Sequence, residues 1–392
     1  MIEVFGHRVL RSIPPEVSQG LVSGMYKLYG GAIRWAPVTA KGGQIVCLLV
    51  PTKSFVNSLE GTAPALFANV GNVYSSFNKT SLKADQIFNV SQEILSISKS
   101  AMISSGLNLV FSAIGFAYVS DRLNKIDKKL DEVQKDIREI KAFLESKEHA
   151  ELRAALNDLL KLTSIKDLET RKTVLHTARQ SLSIISERYR EQLADAENLQ
   201  KTIINEEYYC LTSYARMHCS AELNMQETVV GEIDEMIKFW DTKIRQVTKK
   251  DILRSNAERF LYNEYVNDVP VETLVELLDF AGDEKKGYKW IDELRRKNKS
   301  WYPENYYHSP LDGERGNLSA EKWLTFPVIQ KILARRNVLE GHRSQIEFLA
   351  MNKITPTEFE EKISGLVKDE GDDFIILGPS AGASPRSANQ RV

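Results

Sequence analysis

Cysteine is scarce in this chain of 392 residues, and the three present, Cys47, Cys210 and Cys219, are scattered and form no CxxC pair. That excludes a disulfide scaffold and leaves no zinc ribbon; they read as reduced, buried or incidental thiols of a cytoplasmic protein. Histidine is sparse too: His7, His149, His176, His218, His308 and His342 show no HExxH, HxH or mixed Cys/His spacing, so no metal site is expected. Neither GxxxxGK[ST] nor GxGxxG occurs, which leaves Gly30-Gly31 and Gly42-Gly43 as turn and cap glycines rather than a phosphate cradle. A GxSxG elbow and the kinase signatures are absent as well, so no catalytic residue and no cofactor-binding residue is assigned. A charge excess of either sign is also missing. The net charge of -1 argues against a generic nucleic-acid binder, and no nucleic-acid partner is expected. The opening residues, Met1 to Arg8, lack the basic and apolar regions of a signal peptide.

The most informative absence is local. Between Lys99 and Asp121 no side chain carries a formal charge. Overall composition is that of a globular protein, 42% hydrophobic and 27% charged, but the charge is uneven. Residues 1–120 hold only about 14 charged side chains with a net of about +4, and the remainder is dense in Glu, Lys, Arg and Asp. A boundary near residue 120 follows, between an apolar, mildly basic part and a solvated helical body.

Patterning along the chain predicts a mainly α protein with a small N-terminal α/β unit, a long apolar-to-coiled-coil helix and a C-terminal multi-helical body. Ile2–Leu10, Ala32–Pro37 and Gln44–Val50 read as strands, the last two joined by a turn at Gly42-Gly43. Pro14-Pro15-Glu16 sits where proline opens a helix, predicting a helix over Val17–Tyr29 that ends at Gly30-Gly31. A second helix starts near Ser81 and continues without a breaker to about Ser146, a rod of roughly 90–100 Å. Amphipathic spacing then marks helices over Ala150–Leu162, Leu168–Leu199, Glu206–Leu223 and Glu227–Val247. Paired acids such as Glu206-Glu207 and Glu360-Glu361 are expected on solvated faces. Pro270, Pro303, Pro310, Pro327 and Pro356 divide the remainder into shorter elements, with an aromatic loop at 301–307. The expected units are 1–55, 56–120, 121–147, 148–370 and 371–392. In the last, Phe374, Ile375, Ile376 and Leu377 form a short apolar strand that could add to a partner's sheet or dock on its own domain, before a Ser/Ala/Gly/Pro-rich end expected to be disordered.

The run Met1-Ile2-Glu3-Val4-Phe5-Gly6-His7-Arg8-Val9-Leu10, followed by Pro15-Glu16-Val17, Gly30-Gly31 and the coiled-coil onset at Leu123–Asp127, resembles the opening of a group of uncharacterised bacterial proteins. The similarity spans roughly the first 145 residues. It implies a bacterial origin and no particular activity.

The uncharged segment includes Met102, Ile103, Leu107, Leu109, Val110, Phe111, Ile114, Phe116 and Val119, and about 20 such residues suffice to cross a hydrocarbon core. Its serines, Asn108 and two glycines make it a borderline span, and burial inside the helical body would equally explain the missing charge. Ala113/Ala117 and Ala101/Ser105 supply small-residue spacing for close helix contact. A hairpin of this run with the uncharged Gly61–Asn78 would keep both flanks on one side of a bilayer, resembling α-helical pore-forming proteins in broad design only. Directly behind it, Phe116 and Val119 lead into Leu123, Ile126, Leu130, Val133, Ile137, Ile140 and Leu144 at alternating spacings of three and four. In a parallel assembly Arg122 would face Asp127 of a neighbour, and Asp136 would face Lys141. An antiparallel coil with a later helix of the same chain satisfies the same pattern.

The sequence thus predicts a self-assembling helical protein of the bacterial cytoplasm that perturbs a membrane, associates conditionally with the inner membrane, and acts in defence or competition. Homo-oligomers, membrane lipid and a protein partner at residues 374–377 are the expected partners. Two rivals stay open: a soluble coiled-coil adaptor or scaffold, and an enzyme whose site is assembled from distant residues around the N-terminal α/β unit. A pocket of converging polar groups with at least one strongly perturbed titratable side chain would favour the second.

Overall fold

The computed structural model describes residues 3–37, 39–51, 147–262, 268–297, 325–364 and 374–379, together with Leu95, Ser120, Leu123, Asn124, Asp127 and Tyr265. Its architecture is mainly α with a small antiparallel sheet. The sheet contains β1 (Glu3–Val4), β2 (His7–Leu10), β3 (Tyr26–Tyr29), β4 (Ala32–Trp35), β5 (Ile45–Pro51) and β6 (Phe374–Pro379), with α1 (Pro15–Val22) between β2 and β3. Spatial order is β1-β2-β6-β5-β4-β3, and every neighbouring pair is antiparallel.

Three local expectations change here. Ile2–Leu10 is not one strand but a tight hairpin: Val4 pairs with His7 around Phe5 and Gly6, whose φ values of 52° and 71° suit a two-residue turn. The helix expected over Val17–Tyr29 stops at Val22, because Ser23-Gly24 turns the chain, with Gly24 at φ 74°. Tyr26–Tyr29 then pairs with Ala32–Trp35 across Gly30-Gly31, burying Leu28, Ala32 and Ile33. Burial of this alternating face overrides the helical continuation.

The third change concerns the far end of the chain. Phe374–Leu377 does not offer an edge to a partner; β6 lies in the middle of the sheet, hydrogen-bonded to β2 on one side and β5 on the other. Leu377 faces Val9 and Leu48, and all four apolar residues are buried. A strand of Phe-Ile-Ile-Leu fits a central position because both its faces are covered. The sheet therefore draws on both ends of the sequence.

The helical body contains α2 (Lys147–Leu160), α3 (Leu168–Ala194), α4 (Leu199–Glu222), α5 (Gln226–Val247), α6 (Val271–Gly282), α7 (Lys289–Lys297), α8 (Phe326–Asn352) and α9 (Pro356–Ser364). Asp167 and Asn198 accept hydrogen bonds from the amides of Thr170 and Lys201, capping α3 and α4. Pro270, Pro327 and Pro356 stand at helix starts, where a missing amide hydrogen costs nothing. Central helix α4 is buried on nearly every side, and α8 lies between the body and the sheet, touching α5, α6, β3 and β4.

Of the residues expected at a membrane, Met102, Ile103, Leu107, Leu109, Val110, Phe111, Ile114, Phe116 and Val119 lie outside the described residues. So do Ile126, Leu130, Val133, Ile137, Ile140 and Leu144 of the heptads, the 301–307 loop and residues 380–392 of the Ser/Ala/Gly/Pro-rich end, whose first two residues, Gly378 and Pro379, are ordered in β6. Leu123 is described, helical and only 2% exposed within the chain's own core. Asp127, expected to face Arg122 of a neighbouring copy, has its carboxylate engaged by this chain's His149, Arg153 and Tyr208. At these two positions the coil packs within the molecule. Among the described residues no helix is long and apolar enough to cross a membrane.

Candidate functional site

Edge strand β3 has a neighbour on one side only, and its open flank faces α6 and α8. Between them lies a cleft of about 770 Å³. Tyr26, Lys27 and Tyr29 come from β3, Glu272, Glu276 and Asp279 from α6, and Arg336, Asn337 and Glu340 from α8. A loop from Asp283 to Tyr288, connecting α6 to α7, closes one side. The geometry is set by a seat of glycine on glycine: Gly30, at φ 54°, touches the backbone of α8 at Asn337, Val338 and Gly341. The Gly30 amide also donates to the Asn337 side chain. The β3–β4 hairpin is thereby held directly against α8 at Asn337 and Gly341, the residues that follow Arg336 and Glu340.

Several charged groups of the cleft are occupied in building it. Asp279 accepts from the amides of Lys286 and Gly287, at 2.9 and 3.1 Å, and from the Trp290 indole at 2.9 Å, shaping the α6–α7 loop. Asp283 pairs with Arg245 at 2.6 Å, Glu284 with Lys286 at 3.0 Å, and Arg34 with Glu347 at 2.8 Å. Five others are not so occupied. The side chains of Lys27, Glu276, Lys285, Arg336 and Glu340 line the cleft without a hydrogen bond or ion pair among the described residues. Arg336 rests its guanidinium 4.9 Å from the centre of the Phe280 ring, which holds it in place without neutralising it.

Electrostatics in the cleft reflect this. Lys27 is half-buried, and burial lowers its ammonium pKa; the Lys285 and Arg336 cations lower it further, against the opposing pull of Asp279 and Glu276. Glu276 is shifted the other way, raised by burial although Arg336 acts against the shift. Burial likewise raises the Tyr29 phenol, with Glu340 adding to the effect. An amine with a lowered pKa and an acid with a raised one thus share one cavity.

Two buried polar clusters lie elsewhere. Glu206 and Glu207, expected on a solvated face, are both buried where α4 meets α5 and α8. Glu206 accepts from the Trp240 indole at 2.7 Å and the Cys210 thiol at 3.2 Å, and lies 3.2 Å from Arg335 Nε; Glu207 pairs with Lys331 and lies 4.0 Å from Arg335 Nη2. Their matched cations on α8, invisible from the local pattern of α4, permit the burial. No opening of the cleft reaches this seam, whose residues are absent from the cleft wall. The second cluster centres on Asp127, with His149 Nε2 at 3.0 Å and hydrogen bonds from Tyr208 and Arg153. Burial pushes its carboxyl up, but those hydrogen bonds together outweigh burial and hold it below the usual carboxylate range. All three cysteines are buried thiols, and burial pushes Cys47 up to about 12.

The sequence singled out none of the cleft residues. Lys27 stands in a Tyr-Lys-Leu-Tyr run that reads as the end of a helix, and Glu276 and Arg336 sit at ordinary amphipathic positions. Only spacing hinted at the arrangement: Glu272, Glu276 and Asp279 share a face of α6, and Arg336 and Glu340 are one turn apart on α8. Compared with models of protein families, with curated proteins and with solved structures, the chain matches none.

Proposed function

We propose that this chain binds a small polar molecule in the cleft between β3, α6 and α8. The observation that carries this reading is the convergence of Lys27, Glu276, Lys285, Arg336 and Glu340 on one cavity without ion-pair partners among the described residues. Lys27, Glu276, Arg336 and Glu340 are partly buried, and charged groups so placed without a close partner cost stability that a pairing ligand recovers. A volume of about 770 Å³ suits a metabolite-sized ligand. Thermal-shift screening of a polar metabolite set, repeated on a Ser23→Trp variant that crowds the exposed rim, tests the idea. Stabilisation by a compound, lost in Ser23→Trp, is expected; no binder, or binding indifferent to that change, overturns it.

A second reading rests on the uncharged run between Lys99 and Asp121 and the heptads behind it. In it the chain is a cytoplasmic bacterial protein that self-assembles, meets the inner membrane when triggered and perturbs it, as a defence or competition effector. Leu123 and Asp127 would have to leave their intrachain seats, or stay as the anchor from which the run departs. Liposome leakage measured with the wild type and Gly115→Asp tests this. Leakage abolished by the new charge is expected, and leakage unaffected by it sinks the idea. A protein that never pellets with membranes yet elutes as an oligomer would instead be a coiled-coil scaffold.

A further inference from the structure

Resting on the reading of the cleft as a ligand site, we infer that its ligand is a small-molecule oxyanion, a phosphate or a carboxylate, gripped between Lys27, Lys285 and Arg336. Three cations from three separate elements, strand β3, the α6–α7 loop and helix α8, line one space, Lys285 at its exposed side. Their mutual repulsion is felt at Lys27, where Lys285 and Arg336 both disfavour the ammonium.

The acids of the cleft offset this repulsion only in part: Asp279 and Glu276 pull the Lys27 pKa upward, yet it stays lowered, and Glu272 is hydrogen-bonded with Tyr288. Asp279 is fixed by two loop amides and an indole, and Asp283 and Glu284 are paired with Arg245 and Lys286. Burial raises the Glu276 carboxyl pKa, which weakens it as a competitor for the cations. Glu340 stands one helical turn from Arg336, at a spacing where an ion pair commonly forms, yet none is made. The guanidinium is seated on Phe280 and feels the Glu276 and Asp241 carboxylates, but it makes no hydrogen bond with either, and its planar fork suits phosphate or carboxylate oxygens. An oxyanion arriving there would pair all three cations at once.

The test uses isothermal titration of the full chain with two probes, inorganic pyrophosphate and citrate, and with spermidine as the cationic comparison. Wild type is expected to bind at least one of the two anions and to reject spermidine. Lys27→Met and Arg336→Met should each weaken binding by about tenfold or more, the effect of losing one charge-assisted hydrogen bond. Lys172→Met, on the solvated side of α3 and paired with Glu169, should leave it unchanged. Circular dichroism of each variant establishes that it is folded. Pyrophosphate binding without citrate binding assigns a phosphorylated ligand, and the reverse a polycarboxylate. Anion binding equal in all four proteins, or no binding of either anion, overturns the inference. Should the metabolite screen then yield a neutral or cationic binder blocked by Ser23→Trp, the cleft stands as a ligand site and only its assignment to oxyanions falls.

Discussion

Gly341 of α8 lies so close to Gly30 of the β3–β4 turn that a methyl group on Gly341 would stand 3.2 Å from the Gly30 Cα and 2.9 Å from the Tyr29 carbonyl oxygen. Nothing soft separates the two backbones. The contact sets how far β3 stands from α8, and so the width of the cleft that Lys27 and Arg336 share. Gly341→Ala should therefore destabilise the protein by about 1–3 kcal/mol, the usual range for overpacking, even though alanine is the better helix former. Gly231→Ala makes the comparison, since a methyl group there meets nothing within 4 Å in an exposed part of α5. It should stabilise by about 0.5–1 kcal/mol. Urea denaturation of the pair reads both; equal shifts of the same sign would contradict the close-approach account.

Lys27 offers a trade between stability and binding. Its folded pKa lies below the ordinary 10.5, so the folded state resists its protonation and stability is lost at neutral pH. That cost is complete below the lowered folded value and disappears as pH rises toward the unfolded one. Lys27→Met should raise the melting temperature slightly at pH 7, on the order of 1 °C after allowance for solvent screening. The advantage should fade as pH approaches 10. A variant less stable than wild type at every pH would show that the ammonium is well compensated in the cleft.

Arg335 carries the buried acids of α4. Replacing it with methionine preserves much of the volume but leaves Glu206 and Glu207 with fewer counter-charges inside the core, where Lys331 reaches only Glu207. Breaking a buried pair in this way costs about 3–5 kcal/mol. Chemical denaturation should show a loss of that size, against less than about 1 kcal/mol for the exposed Lys172→Met. A loss no larger than that of the surface variant would mean the seam adds no stability.

Asp127, in the heptad-patterned stretch, is bonded to α2 and α4. Its carboxyl is held below the usual range in the folded state, so its contribution is present above the unfolded value of about 3.9 and is lost as pH falls through the lower folded value. Asp127→Asn should cost about 2 kcal/mol at pH 7, the scale of hydrogen bonds to a charged group. Its penalty should shrink below about pH 4, where wild type loses the same interactions. Hydrogen exchange at residues 120–127 would report the loosening, and protection unchanged in the variant would dismiss Asp127 as the anchor.

Much of the helical body could be read from the chain. The helices over 147–247 emerge because each has an apolar stripe, but α3 ends at Ala194 instead of Leu199 and α4 begins at Leu199 instead of Glu206, since Asn198 caps α4 where the pattern continues a helix. Gln44–Val50 announces a covered strand by its unbroken apolar composition, and Gly42-Gly43 announces its turn. These features depend on neighbours within a few residues, and local sequence records them.

What only the tertiary structure decided depends on groups far apart in the chain. Tyr26–Tyr29 could continue a helix by its own preferences; pairing with Ala32–Trp35 under α8 makes it the edge strand that carries Lys27. Phe374–Leu377 could have served any open sheet, and the gap between β2 and β5 fixes where it goes. Glu206 and Glu207 look solvent-facing until Arg335 and Lys331 arrive from over a hundred residues away. Lys27, Lys285 and Arg336 each sit in an unremarkable local pattern, and their shared charge exists only once three elements meet. Backbone pattern follows from short-range sterics and burial, whereas a site follows from Coulomb and desolvation terms that act across space and leave no periodicity in the sequence.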